Sequence, residues 1–118
     1  MIKNQNTKQY DLEDRTFEFA KRVRNYVKKL SRVISNIEYG KQLVRSSGSQ
    51  AANYIEANES LSKKDFFMRV KICRKEAKES RLWLKLTEPN LEDQKEQEAL
   101  IQEAIELTKI FGAIVSNI

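Results

Sequence analysis

The sequence predicts an all-α fold, an antiparallel up-down-up-down four-helix bundle. Four stretches repeat apolar residues at alternating steps of three and four. A third of the 118 residues are charged, and only three glycines and one proline occur, a balance suited to long solvated helices and not to a sheet of hairpins. Each repeat gives a helix one narrow apolar seam, which must face other helices to leave water. At this length one core serves one domain. The expected division is a flexible arm over residues 1–10 and a single bundle over residues 11–118.

Helix one is expected from Asp11, where Asp11, Glu13 and Asp14 suit the positive end of the helix dipole, to Arg32. Its seam reads Thr16, Ala20, Val23, Val27, Leu30 and Ile34. Ser35 with Glu38 has the spacing of a capping box and opens a second helix that reaches Glu59. The seam of this helix, Ile37, Val44, Ala51, Tyr54 and Asn58, is looser. Ser46, Ser47, Gly48 and Ser49 lower its propensity, but small residues admit a close neighbour, and the helical flanks predict continuity. Ser62 with Asp65 caps a third helix through Leu86, with Phe66, Val70, Cys73, Ala77, Ser80 and Leu84 as its seam. Pro89 ends it. Asn90, Glu92 and Asp93 start helix four, whose seam is Leu100, Ala104, Leu107, Phe111, Ile114 and Ile118. Short links predict that consecutive helices are antiparallel neighbours.

With no histidine and one cysteine, the chain offers no histidine relay, no histidine metal site and no internal disulfide. Cys73 sits on a seam and is expected to be a buried core thiol. No glycine-rich phosphate cradle occurs, so neither a cofactor nor a catalytic residue is expected. Residues 1–9 lack the apolar centre of a signal peptide, and the greasy run 110–115 is too short to span a bilayer. The expected location is the cytoplasm, with no membrane partner.

Charge is sorted along the chain. Residues 1–45 carry 11 Lys and Arg against 5 acids, and residues 91–118 carry 2 against 6. Two basic strips have helical spacing. Lys21, Arg24, Lys28 and Arg32 lie on helix one with Arg22 and Lys29 beside them, and Lys71, Arg74, Lys78, Arg81 and Lys85 lie on helix three with Lys75. Rows of this kind match the repeated charge of a phosphate backbone. They also fit a solvated face laced with acids such as Glu76 and Glu79. A second polar group, Arg45, Asn53, Glu56, Glu76 and Glu79, with Lys71 and Arg74 nearby, is expected to fix helix register, because such groups tolerate burial only when paired. Phe17 and Phe66 are expected at the core ends. Phe19, Tyr26, Phe67 and Trp83 fall partly off the seams, where they can anchor a protein interface or stack on bases.

Tyr10–Val23 (YDLEDRTFEFAKRV), Gly40–Glu59 (GKQLVRSSGSQAANYIEANE) and Ser62–Leu86 (SKKDFFMRVKICRKEAKESRLWLKL) occur in a distinctive order. Their most specific residues are Arg45, Ser46, Ser49, Ala52, Asn53, Glu56 and Ala57, then Lys64, Asp65, Phe66, Lys71, Glu76, Ala77 and Glu79. In these the chain resembles the bacterial four-helix-bundle family encoded within intervening sequences of large-subunit ribosomal RNA genes. The likeness covers nearly the whole chain and weakens in helix four. It implies an unbroken second helix and a homopentameric ring. More distantly the chain is similar to the accessory variability protein of diversity-generating retroelements, a basic pentamer that binds nucleic acid and a reverse transcriptase. At Gln50 the family often has isoleucine or valine, which leaves the packing of mid-helix two open. The family brings no catalytic residues with it. The expected function is a non-enzymatic homo-oligomer binding RNA or structured nucleic acid through its basic faces. The alternative is an adaptor that binds a protein partner through the ring surface.

Overall fold

The computed structural model describes the backbone of residues 8–116 and the side chains of residues 12–116. Its helices are α1 (Lys8–Lys28), α2 (Ile34–Asn58), α3 (Lys63–Leu86) and α4 (Gln94–Ser116), the last entered through a 3-10 turn at Leu91–Asp93. No strand occurs among the described residues, so the fold is all-α with four helices. Helix already starts at Lys8, which shortens the expected arm; its residues 1–7, like Ile118 of the fourth seam, lie outside the described residues. α2 packs on α3, α3 on α4, and α1 against both α2 and α4.

Several seams sit one position away from where apolarity alone puts them. On α1 the buried residues are Leu12, Thr16, Phe19, Val23 and Tyr26, with Leu30 buried in the link that follows, so Phe19 and Tyr26 are core residues. Phe17, expected at a core end, is 60 % exposed. On α2 the buried positions are Asn36, Gly40, Leu43, Ser47, Gln50, Tyr54 and Ala57, an unbroken alternation of four and three, with Ser46 beside it. Val44 and Asn58, expected on this seam, face solvent. The seam mixes the large Leu43 and Tyr54 with small residues where a neighbouring helix comes close. A Cβ at Gly40 would lie 3.2 Å from Val27 Cγ1, and the Ser46 and Ser80 hydroxyls meet across α2 and α3 at 2.7 Å. The small residues around position 46 thus serve close packing, and the helix continues through Gly48 as expected. The third seam is buried as read from Val70 to Leu84, with Phe66 half-buried, and the fourth ends on Val115 with Ile114 half-buried.

The helix ends show where tertiary partners overrule local signals. Ser62 caps α3 as predicted, its side chain accepting from the Asp65 N–H at 3.1 Å. The Ser35–Glu38 box does not form; the N-cap is Val33, and it makes no side-chain cap bond. One residue after Ser35, the buried Asn36 amide donates to the Ser31 and Glu88 carbonyls and accepts from the Glu88 N–H at 2.9 Å. That latch fixes where α2 begins. α1 stops at Lys28, short of Arg32, because the Lys29 and Ser31 carbonyls take the Asn90 and Asn36 amides in place of another helical turn. Asn90 therefore bonds α1 and does not cap its own helix. Gln97 joins the same end, donating to the Leu84 and Thr87 carbonyls, and Tyr26 meets Thr87 at 2.8 Å.

Gln50 is fully buried with neither amide atom hydrogen-bonded, whereas Gly48 is exposed with nothing within 4 Å of a built Cβ. An unmet buried amide is destabilising, so Gln50→Met, which keeps the volume, is expected to raise the unfolding free energy by about 1–2 kcal/mol. Gly48→Ala is expected to add about 0.5–1 kcal/mol by removing glycine's backbone entropy from a helix interior. Urea denaturation of each variant measures both gains.

Candidate nucleic-acid interface

α4 sorts the two basic strips. Along one of its edges Glu96, Glu103 and Glu106 face α1: Arg15 reaches Glu103 at 2.8 Å and Glu106 at 3.2 Å, and Arg22 reaches Glu96 at 3.1 Å. The Glu103 hydrogen bond is the chief cause that raises the Arg15 pKa above its ordinary value. Lys29 lies 3.8 Å from Asp93 at the base of α4. Arg22 and Lys29 are thereby drawn into the bundle's own ion pairs. Arg32 is exposed but lies in the α1–α2 link, off the helix, and so leaves the row. Lys21, Arg24 and Lys28 remain exposed on α1, with Arg24 bonded to Asn25 and Glu18 close in sequence.

The α3 row meets a different side of α4. Gln97 touches the end of α3, and Gly112 lies beside the Arg74 side chain. The helical face joining those two carries Ile101, Ile105 and Thr108, with the exposed Glu98 at its edge. Lys71, Lys75, Lys78 and Arg81 are exposed and Arg74 is half-buried. Among the described residues none of these five has a carboxylate within 4 Å. Lys71, Arg74, Lys75 and Lys78 line an open concavity of about 350 Å³ with Leu82 and Glu79. Glu79 is already engaged by Arg45 at 3.1 Å.

The expected polar group is partly assembled across α2 and α3. Arg45 reaches both Glu76 oxygens at 3.4 Å, and Glu76, only 4 % exposed, accepts from Ser49 at 3.1 Å. Asn53 donates to the Ser49 carbonyl and hydroxyl and accepts from Arg69 at 2.9 Å. Glu79, Arg45, Glu76, Ser49, Asn53 and Arg69 thus form one chain of contacts. Glu56 stays outside it, exposed near the α2–α3 turn. Sequence reasoning missed Ser49 and Arg69. Ser49 stands among the motif residues of the family resemblance, but Arg69 becomes a partner of Asn53 only once the register of α3 on α2 is known.

Beneath this surface burial favours the neutral forms of Cys73, Tyr54 and Tyr26. Burial, the largest cause, pushes the Cys73 thiol up to about 12, and the thiol points at the Gln50 carbonyl at 3.5 Å, as a core thiol would. Burial likewise raises the Tyr54 phenol to about 12, and it raises Tyr26 against the lowering effect of its Thr87 bond. Among the described residues no group of three or more His, Cys, Asp or Glu could hold a metal ion. No helix there is long and apolar enough to cross a membrane.

The model of the 23S rRNA-intervening sequence protein family matches residues 8–113. Among solved structures, the chain is similar to a protein of unknown function from the S23 ribosomal protein family of Bacteroides thetaiotaomicron VPI-5482. The two are 28 % identical with a TM-score of 0.77, over 93 % of this chain and 99 % of the other. No curated protein matches.

The raised core pKa values carry a sign. The folded state holds protons on Cys73 and Tyr54 that the unfolded chain releases above about pH 9 to 10, so their contribution is complete below that range and is lost as pH rises toward 12. Thermal unfolding midpoints are expected to fall between pH 9 and pH 12, and Cys73→Ala to flatten the fall. At pH 8 the thiol is expected to react with a disulfide reagent only after denaturation.

Proposed function

The chain belongs to the 23S rRNA-intervening sequence protein family, and from that premise we propose that it is a non-enzymatic homo-oligomer that binds RNA, chiefly through α3. The observation that carries this reading is the division of charge: α4 and the turn before it pair Arg15, Arg22 and Lys29 of the α1 side, whereas Lys71, Arg74, Lys75, Lys78 and Arg81 form a row of five without acid partners. Phosphates would supply the missing anions, with Lys21, Arg24 and Lys28 as secondary contacts. Such contacts position a nucleic acid without reading its sequence. Arg45, Asn53, Glu76 and Glu79 act within the bundle, holding α3 in register on α2.

The proposed arrangement is up-down-up-down. It is supported by paired positions that run in opposite order: Arg15 with Glu103 and Arg22 with Glu96; Ser46 with Ser80 and Asn53 with Arg69. The proposed assembly is a cytoplasmic ring of five chains. Leu61, 99 % exposed, with Val44, Ile55 and Leu86 exposed on α2 and α3, leaves more apolar surface in water than a solitary bundle needs. The same surface also favours the second reading, an adaptor that takes a protein partner.

Binding to a structured fragment of large-subunit ribosomal RNA, titrated at rising salt, tests the main reading. Affinity is expected to fall steeply with salt. Replacing Lys71, Lys75 and Lys78 together by glutamine is expected to shrink the log–log slope by about 2–3. Replacing Lys21 and Lys28 is expected to change it less. No binding at low salt, or a flat salt response, overturns the proposal. Light scattering after nuclease treatment is expected to give five times the chain mass.

A further inference from the structure

The basic groove of α3 continues past Lys71 toward the start of the helix, where its lining changes character. There a second concavity of about 450 Å³ is formed by Lys63, Lys64, Phe67, Met68 and Lys71, so Lys71 is shared by both hollows. Phe67 is half-buried and braced edge-on by Phe66, their ring centroids 5.4 Å apart at 73°. Phe66 itself packs against the core, which holds its neighbour in place. Lys63 and Lys64 occupy the first turn of α3, where the helix dipole disfavours cations. Among the described residues neither lysine has a carboxylate within 4 Å.

Resting on the RNA-binding reading above, we propose that this end of the groove takes an unpaired, single-stranded stretch of nucleic acid, with one base stacked on Phe67 and the adjoining phosphates held by Lys63, Lys64 and Lys71. A braced aromatic ring between cations matches the two parts of a flexible single strand, a π-face and a charged backbone. A duplex offers this surface only phosphates, because its bases are stacked on each other and cannot reach Phe67. From Phe67 to Lys78 the helix advances about 16 Å, a length suited to the short end of single-strand sites, about 4 nucleotides.

The test compares a fluorescent 12-nucleotide single-stranded RNA with the same strand annealed to its complement, using the full chain, with polyglutamate as competitor. Phe67→Leu keeps an apolar side chain without a π-face, Phe67→Tyr keeps the face, and circular dichroism checks that each variant is folded. The single strand is expected to bind more tightly than the duplex. Phe67→Leu is expected to weaken it about tenfold, Phe67→Tyr to restore it, and polyglutamate to compete poorly. Equal binding of strand and duplex, indifference to Phe67→Leu, or displacement by polyglutamate at equal charge concentration overturns the inference. If the wild-type chain still binds RNA in a salt-dependent way, indifference to Phe67→Leu leaves the RNA-binding reading intact. Absence of binding to any RNA brings down both.

Discussion

The close approach of α2 to α3 is the constraint on which the rest of the molecule depends. Ser46 and Ser80 meet at 2.7 Å in the buried interface, and Gly40 of the same helix admits Val27 of α1, whose Cγ1 lies 3.2 Å from where a Cβ would stand. Close packing of this kind replaces sheer apolar area with many short contacts. It also fixes one register. Once Ser46 faces Ser80, Arg45 falls opposite Glu76 and Asn53 opposite Arg69, so the polar chain across the two helices follows from the packing.

That register turns one flank of α3 toward α2 and the opposite flank toward α4. The first carries Glu76, Ser80 and Arg69, which are taken up within the bundle. The second carries Arg74, which lies beside Gly112, and the lysines Lys71, Lys75 and Lys78 stand exposed on the open face between the flanks. α4 then decides what becomes of part of the α1 row, because Glu96, Glu103 and Glu106 line the edge that meets α1. Cations already paired at α1 offer an incoming anion less than the unpaired cations of α3, since binding to the latter breaks nothing already made. The proposed function therefore follows from how the packed helices distribute their charges.

The seams of α3 and most of α4 were legible in the sequence because their apolar residues are large and regularly spaced. Those of α1 and α2 were read one position off. On α1, Phe19 and Tyr26 are core residues beside an equally apolar Phe17 that is not. On α2 the buried set includes Asn36, Ser46, Ser47 and Gln50, polar residues that apolar periodicity passes over. Ser62 and Asp65 announced their cap correctly, whereas Ser35 and Glu38 had the same spacing and made none. The difference is Asn36, which is held by Glu88 from 52 residues away.

Sequence by itself determined the class of structure, because helical periodicity, scarce glycine and proline, and a heavy charge content are local properties that need no partner. It also determined that cations cluster on α1 and α3, that acids gather on α4, and that Cys73 lies on an apolar stripe. Which cations are neutralised, where α1 and α2 end, and which small residues touch were decided only by the tertiary structure. Those outcomes depend on pairs far apart in the chain, such as Arg22 with Glu96 and Asn36 with Glu88, and a pair of this kind exists only once the helices have packed.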